Sequence, residues 1–228
     1  MAQGGSHALE PSVLDQLAAL LLALAAEPSP PTSVTAPDEA ASVHVADGLS
    51  GLAAPPLGQA ARIADIGAGA GFPGLVLAAA LPSAQIDLIE ATSRKCEVIQ
   101  RLATAADLSN ATAIPVRAEE LAAADGAEAY DIVTARALSS LAVLAEYAAP
   151  LLQLGGSLVA WKGVRDPAEE QAGHQAAQIL GLQPLPPTPV RPFKGSRERN
   201  IYIYTKTEPT PARFPRRPGM ATKRPLAG

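Results

Sequence analysis

Leucines near the start of the chain recur at the spacing that places them on one face of a helix. They predict an amphipathic helix over residues 11–27. The proline-rich stretch PSPPTSVTAP that follows predicts a loop, and the pattern over residues 38–52 predicts a second helix. The leucines that define the first helix are Leu14, Leu17, Leu20, Leu21 and Leu24.

From residue 61 onward, short apolar runs alternate with helical segments. Such alternation is typical of an α/β fold in which helices connect the parallel strands of one sheet. In a sheet of this kind, ligands bind at the carboxyl ends of the strands. The predicted strands are ARIADI, AQIDLIE, ATAIPV, YDIVTA, GSLVAWK and a late, antiparallel RNIYIYTK, and the predicted helices cover 75–81, 93–106, 138–152 and 167–181.

Length and composition exclude several classes of protein. The chain has 228 residues, 48% of them apolar, which suffices for the core of one compact domain. The apolar run 17–26 is much shorter than the roughly 20 residues that span a membrane, and no Lys or Arg stands in the first 13 residues, where a secretory signal would need one. We therefore expect a cytoplasmic protein without a membrane segment. The single cysteine, Cys96, excludes an intramolecular disulfide and a cysteine-rich zinc site, and we expect no metal.

The net charge of −4 is unevenly distributed along the chain. Residues 191–228 contain ten basic and two acidic residues, whereas residues 1–190 contain eight basic and twenty acidic residues. A basic C-terminal segment on an acidic body indicates a polyanionic partner. The alternative is a basic tail that is simply solvated.

Four glycines follow the first predicted strand in the stretch ADIGAGAGFPG, residues 64–74. A P-loop for phosphate would need a lysine, which the stretch lacks, and a dinucleotide-binding loop would have glycine where Phe72 stands. The spacing Gly-x-Gly-x-Gly after Asp65 instead resembles motif I of class I S-adenosylmethionine-dependent methyltransferases. This resemblance implies S-adenosylmethionine as cofactor, with Asp65, Gly67 and Gly69 at its site. The alternative is a turn that needs glycine only for its geometry.

Two acidic positions suit the remainder of such a cofactor. Glu90 ends the second strand about 20 residues beyond the glycine loop, where a carboxylate can accept both ribose hydroxyls. The adenine contact is expected after the third strand, where VRAEE places the backbone of Ala118 and the side chain of Glu119. An ordinary glutamate at a strand end is the alternative for Glu90.

The methyl acceptor can be narrowed by two motifs that the sequence lacks. Enzymes that methylate exocyclic amines usually carry Asp/Asn-Pro-Pro-Tyr/Phe after the fourth strand, where this chain has TARAL. Methylation at a pyrimidine carbon needs a cysteine nucleophile, and Cys96 lies in a helix away from the acceptor side. A ring nitrogen with a free lone pair remains, and it needs no general base, so catalysis would consist mainly of positioning.

Five stretches together resemble the bacterial 16S ribosomal RNA guanine-N7 methyltransferase family. They are DIGAGAGFPG, VRAEE, YDIVTARAL, GGSLVAWKG and FPRRPGMATKRPL, and the resemblance runs in order from about residue 43 to residue 226. It implies a Rossmann-like class I methyltransferase with a mainly parallel seven-stranded sheet, helices on both faces and an N-terminal helical extension. It also implies methyl transfer to N7 of a guanine in the decoding-region loop of 16S rRNA, either naked or within the 30S subunit. We expect a helical segment over 1–58, a methyltransferase core over 59–207 and a basic tail over 208–228, together forming one structural domain and a monomer.

The same resemblance assigns residues by position. Cofactor contacts are implied at Gly67, Phe72, Glu90, the Ala118–Glu119 pair and Arg136. Arg136 also suits a cofactor carboxylate or an RNA phosphate on its own chemistry, because it is a cation at the end of the fourth strand. The residues predicted to contact RNA are Lys162, Arg197, Arg199, Arg213, Arg216, Arg217, Lys223 and Arg224.

The N-terminal part departs from the family pattern. SVHVADGL resembles the family's His-x-x-Asp-Ser-Leu segment, with His44 and Asp47 in place and glycine at 48. Upstream, the chain has Ser33-Val34-Thr35 where the family usually shows Asn-Leu-Thr. His44 and Asp47 are therefore interpreted as positioning residues, and no catalytic residue is assigned. Two alternatives stay open: a methyltransferase of a small molecule, and a non-catalytic RNA-binding ribosome-assembly factor that keeps the fold.

Overall fold

The computed structural model describes residues 9–227. Residues 1–8 and 228, which the sequence assigns to the N-terminal segment and the basic tail, lie outside the described residues. The strands are β1 Arg62–Ile66, β2 Gln85–Ile89, β3 Ala111–Ile114, β4 Tyr130–Arg136, β5 Leu152–Lys162, β6 Leu182–Pro184, β7 Thr188–Val190 and β8 Arg199–Lys206. The α-helices are α1 Pro11–Ala26, α2 Pro37–Ala40, α3 Asp47–Leu49, α4 Gly74–Ala80, α5 Ser93–Ala105, α6 Ala118–Ala122, α7 Leu141–Ala148, α8 Pro167–Leu180 and α9 Met220–Lys223.

All eight described strands form one sheet in the order β3-β2-β1-β4-β5-β8-β6, with β7 also paired to β8. The first five strands are parallel, and β8 is antiparallel to β5, as predicted. The sheet has eight strands instead of the predicted seven because the last sheet position is divided. β6 and β7 pair with different parts of β8, and Pro186 and Pro187 between them have no N–H to donate to a ladder.

Helices cover both faces of the sheet, so the alternating side chains of each strand are buried on two sides. In β8, Ile201 and Ile203 pack toward α1, α4 and α5, whereas Tyr202 and Tyr204 pack toward α7 and α8. Helix α1 adds its buried leucines to the first of these layers. Leu14, which the periodicity had placed on the buried face, is 53% exposed, and Val13 is buried there instead.

The second predicted helix carries the N-terminal segment over the carboxyl ends of β4 and β5. Between α2 and α3 the chain forms a π-helical turn, Ala41–Ala46, a rare geometry that often occurs at functional sites. The Trp161 indole donates a hydrogen bond of 2.9 Å to the Asp47 carbonyl. A side chain at Gly51 would place its Cβ 1.9 Å from the Trp161 ring, so only glycine lets this helical segment lie so close to β5.

The C-terminal tail is docked on the body. Phe214 is 8% exposed in the hydrophobic layer formed by α7 and α8. Arg216 binds the buried Glu146 carboxylate through two hydrogen bonds of 2.6 and 2.5 Å. The Gly219 N–H then donates to Glu119 Oε1 at 2.8 Å. The tail therefore runs along α7, contacts α6 at Gly219 and continues into α9, which packs against α7.

Three of the ten basic residues in the C-terminal segment form ion pairs with carboxylates of the fold. The Lys206 ammonium is fully buried and donates to the carbonyls of Ala149 and Leu152 and to Glu128. Arg199 pairs with Asp47 and Arg216 pairs with Glu146. The surface charge of the segment is therefore smaller than its composition indicates.

Candidate cofactor cleft and adjoining cavity

A cleft of about 480 Å³ opens at the carboxyl ends of β1, β2 and β4. Because the strand order reverses at β1, this is the crevice in which α/β sheets of this type bind ligands. The cleft is lined by most of the predicted cofactor residues, namely Gly67, Gly69, Phe72, Glu90, Ala118, Glu119 and Arg136.

The glycine-rich turn forms the floor of the cleft, and its geometry requires glycine. Gly67 has φ +64° and Gly69 has φ +59°, in the left-handed region that other residues rarely adopt. A Cβ at Gly67 would also lie 2.5 Å from Leu138 Cδ1 across the cleft. The Gly67 N–H donates to the Ile89 carbonyl at 2.8 Å, which fixes the turn to the end of β2. The turn thus presents bare backbone to a ligand.

Asp65, in contrast to the other predicted cofactor residues, does not line this cleft and is 1% exposed. Its carboxylate is buried beneath the loop and accepts hydrogen bonds from the Gly74 N–H at 2.9 Å and the Thr134 hydroxyl at 2.8 Å. Burial raises the pKa of Asp65 to about 6, against the lowering effect of these two donors. Its role is to tie the end of the loop and the start of α4 to β1 and β4.

Glu90 stands at the edge of the cleft with its carboxylate held by backbone. Oε2 accepts from the Gly69 N–H at 3.1 Å and Oε1 accepts from the Thr92 N–H at 2.9 Å. Each oxygen keeps a lone pair, so the carboxylate can accept two further hydroxyl protons. The Lys95 ammonium lies 3.9 Å from Oε2 and also lines the cleft.

The opposite end of the cleft is bounded by α6 and the docked tail. Ala118 is the first residue of α6, and Glu119 is 8% exposed, with one carboxylate oxygen bound to the Gly219 N–H. Tyr147 of α7 also lines this end. Backbone and carboxylate groups are therefore available here for an adenine ring.

His44 and Arg136 form the third wall of the cleft together with Phe72. The His44 ring stacks on the Phe72 ring at 4.4 Å between centroids and an angle of 6°. Its Nε2–H donates to the Val34 carbonyl at 3.0 Å, and its Nδ1 accepts from Arg136 Nη2 at 3.2 Å. Burial and the neighbouring guanidinium lower the pKa of His44. The imidazole is therefore neutral, with both nitrogens engaged.

A second cavity of about 370 Å³ adjoins the cleft and shares Arg136 and Ala137 with it. Asp47 lies in its wall and bridges an arginine of β4 and an arginine of β8. Its Oδ2 accepts a hydrogen bond from Arg136 Nη1 at 3.0 Å, and its Oδ1 accepts one from Arg199 Nε at 3.2 Å. Lys162 lines the same cavity and pairs with Glu169 at 2.6 Å. The structure thus brings together His44, Asp47, Arg136, Lys162 and Arg199, which are far apart in sequence.

The remaining residues predicted to contact RNA lie elsewhere on the surface. Within residues 9–227, Arg216 is the one member of this remaining set that forms an ion pair. Arg216 is committed to Glu146 and to the Arg224 carbonyl, so it is a residue that docks the tail and not a free phosphate ligand. The other residues of this predicted set are exposed, namely Arg197, Arg213, Arg217, Lys223 and Arg224.

Several residues that line the cleft were not predicted from the sequence. Thr32, Lys95, Leu138 and Tyr147 all border the cleft. Lys95 could have been inferred from its place in the first turn of the helix after β2, near Glu90. Tyr147 and Thr32 reach the cleft through the packing of α7 and of the N-terminal loop, which carries no local signal.

Among residues 9–227, no group of three or more His, Cys, Asp or Glu side chains is arranged to hold a metal ion. In the same part of the chain, no helix has the length and apolar character needed to cross a membrane.

The strand order, the glycine turn after β1 and the carboxylate after β2 define a class I, Rossmann-like methyltransferase, the class that uses S-adenosylmethionine. Solved structures agree on the fold. A predicted O-methyltransferase from Agrobacterium tumefaciens matches with a TM-score of 0.56 and 23% identity, covering 72% of this chain and 81% of that one. Aeropyrum pernix fibrillarin, solved with bound S-adenosylmethionine, matches with a TM-score of 0.54 and 17% identity, covering 70% and 73%.

Sequence comparison identifies the family. Residues 14–197 match the family described as rRNA small subunit methyltransferase G. Relatives named ribosomal RNA small subunit methyltransferase G include one from Rubrobacter xylanophilus, 40% identical over 81% of this chain and 72% of that protein. Another, from Pelotomaculum thermopropionicum, is 38% identical over 86% and 82%. The chain belongs to the rRNA small subunit methyltransferase G family.

Proposed function

We propose that this protein transfers a methyl group from S-adenosylmethionine to N7 of a guanine in 16S rRNA, in the decoding-region loop of the small subunit. The observation that carries the proposal is the junction at Arg136 of a cofactor cleft with a second, cation-lined cavity. The substrate is 16S rRNA or the 30S subunit, and the proposed setting is the cytoplasm, with the protein acting as a monomer.

The residues of the cleft fit S-adenosylmethionine. Glu90 keeps free lone pairs for the two ribose hydroxyls, and the open backbone of Gly67 and Gly69 leaves room for the chain that bears the sulfur. Ala118 and Glu119 are the proposed adenine contacts. When bound, the cofactor supplies an electrophilic methyl group on a sulfonium sulfur.

The acceptor atom explains why no general base is assigned. Guanine N7 carries a lone pair and no proton, so the reaction needs alignment of the attacking nitrogen with the methyl group. His44 cannot take a proton in its present arrangement, because Nε2 donates to Val34 and Nδ1 accepts from Arg136. We assign His44 and Asp47 the task of holding the Arg136 guanidinium between the two cavities.

This arrangement predicts how the rate depends on pH. Because burial lowers the pKa of His44 below its ordinary value of 6.5, the imidazole is mainly neutral at pH 7 and above. Single-turnover rates on rRNA should therefore be flat from about pH 7 to 8. His44→Ala should lower the rate and leave the profile flat over this range. A steep rise near pH 6.5 that disappears in His44→Ala would refute positioning and indicate base catalysis.

Glu90→Ala should weaken cofactor binding by about tenfold or more, because a charged acceptor of two hydroxyls is lost. Calorimetry with S-adenosylhomocysteine measures the effect directly. Glu97→Ala in α5 is the matched control, since Glu97 is exposed and does not line the cleft. Equal affinities of wild type and Glu90→Ala would remove Glu90 from the site.

One assay separates the proposed function from the other two candidates. Tritiated S-adenosylmethionine is incubated with the protein and either naked 16S rRNA or 30S subunits, and the product is mapped for N7-methylguanine. Label in rRNA at N7 supports the proposal and identifies the preferred form of the substrate. Binding of cofactor without transfer to RNA favours a small-molecule acceptor. Binding of RNA without cofactor affinity favours a non-catalytic assembly factor.

A further inference from the structure

The second cavity offers a site next to the cofactor cleft, and the inference drawn from it rests on the proposed function. We infer that this cavity is the subsite for the acceptor nucleotide, and that Arg199 is the residue that distinguishes guanine from adenine. The cavity holds about 370 Å³ and is formed by residues of the N-terminal helical segment, the carboxyl ends of β4 and β5 and the amino end of the antiparallel β8.

Position is the first argument. A methyl group moves directly between two atoms in contact, so the acceptor must lie beside the cofactor cleft. The second cavity is adjacent to the cleft, because Arg136 and Ala137 line both spaces. Trp161 also lines the cavity, and an aromatic side chain is a suitable contact for a base.

Charge is the second argument. Arg136, Lys162 and Arg199 line the cavity against a single lining carboxylate, Asp47, and Lys162 is further paired with Glu169 outside. The balance is cationic, as expected for a nucleotide that brings its phosphate. Asp47 also places a negative charge beside the base, where methylation at N7 creates a positive one.

Hydrogen bonding is the third argument, and it explains how guanine is distinguished from adenine. Only Nε of Arg199 is engaged among the described residues, with Asp47, so its two terminal amino groups are available at a side chain that is 35% exposed. Beside N7, guanine presents the O6 acceptor where adenine presents an amino donor. Guanidinium and ammonium groups only donate. The two free amino groups of Arg199 can therefore donate to guanine O6 but cannot accept a hydrogen bond from the adenine amino group.

Asp47 acts through Arg199 in this scheme and is a positioning residue. Its carboxylate fixes Arg199 on one oxygen and Arg136 on the other, and its carbonyl is bound by the Trp161 indole. The three walls of the cavity are thus held by one residue. A change at Asp47 would disturb all of them, so Arg199, which contacts the cavity from one strand, is the better site for a test.

The experiment uses the whole protein saturated with S-adenosylhomocysteine and two fluorescently labelled RNA pentamers, UUGUU and UUAUU. Anisotropy gives each affinity, and the emission of Trp161, the one tryptophan of the chain, reports occupation of the cavity. We expect UUGUU to bind about tenfold more tightly than UUAUU and to change the Trp161 emission. Arg199→Gln should remove this preference, whereas Arg62→Gln, at the other end of the sheet, should keep it.

Three results would overturn the inference: equal affinity of wild type for the two pentamers, binding of neither, or an unchanged preference in Arg199→Gln. Circular dichroism and the affinity for S-adenosylhomocysteine, measured without RNA, show whether Arg199→Gln is folded with an intact cofactor cleft. The same measurements distinguish a failure of the proposed function from a failure of the acceptor subsite. Loss of cofactor affinity in wild type would refute the proposed function, whereas failed discrimination with intact cofactor binding refutes only the subsite.

Discussion

Arg216→Met is expected to lower the free energy of unfolding by about 3–5 kcal/mol, because it leaves the Glu146 carboxylate buried without its partner. Both oxygens of Glu146 are bound by Arg216 at 2.6 and 2.5 Å, and the Glu146 side chain is 4% exposed. The same guanidinium holds the Arg224 carbonyl, so its loss should also release the tail. Chemical denaturation measures the first effect, and hydrogen exchange of the Gly219 amide measures the second.

Two further variants make the test specific. Arg217→Met removes a neighbouring exposed cation and should leave stability unchanged. If Arg217 contacts a phosphate, this variant should reduce the slope of log affinity for RNA against log salt by about 0.7. The double variant Arg216→Met with Glu146→Leu should recover much of the lost stability, because no charge then remains buried without a partner. If Arg216→Met is as stable as wild type and only its RNA affinity falls, Arg216 is a phosphate ligand after all.

The pairing of Arg216 with Glu146 illustrates what the sequence could not predict. The two residues are 70 positions apart, and nothing in FPRRPG distinguishes the arginine that docks the tail from its exposed neighbour, Arg217. From the sequence alone, both arginines were predicted to be surface cations that contact RNA. Only the packing of Phe214 against α7 and α8, which turns Arg216 toward Glu146, separates them.

Local patterns, in contrast, predicted most of the architecture. The alternation of apolar runs and helical segments gave the five parallel strands and the antiparallel β8, since each element carries its own period. The short strands β6 and β7 were missed because proline interrupts them and they gain their pairing only from β8. The boundary of β5 was also missed, because it begins at Leu152, before the glycine pair that predicted a turn.

The glycine turn and Glu90 were predictable because their positions follow from the order of strands. The second cavity was not, since its walls come from four separate parts of the chain. The departure at Ser33-Val34-Thr35 also becomes interpretable in the structure. His44 is held by the carbonyl of Val34, a backbone group that any residue supplies, so this substitution leaves the histidine in place.

Asp65→Asn should change how stability depends on pH. Burial raises the pKa of Asp65 to about 6 from an ordinary value of 3.8, so between these values the folded protein binds more protons at this site than the unfolded chain. Its contribution to stability is therefore complete below about pH 3.8 and is lost as the pH rises through about 6. For a shift of roughly two pH units the loss is roughly 3 kcal/mol.

Asparagine preserves the shape and both hydrogen bonds of Asp65 but does not titrate. Its carbonyl can accept the Gly74 N–H, and its amide can donate to the Thr134 hydroxyl, which rotates to accept. The stability of Asp65→Asn relative to wild type should thus increase by roughly 3 kcal/mol between pH 4 and pH 7. Denaturant unfolding of both proteins across this range gives the difference, in which the other titrating groups cancel. Asp125→Asn, an exposed position, should show no such trend. A difference that stays constant with pH would mean that Asp65 is ionised throughout and that the loop is fixed by a charged group.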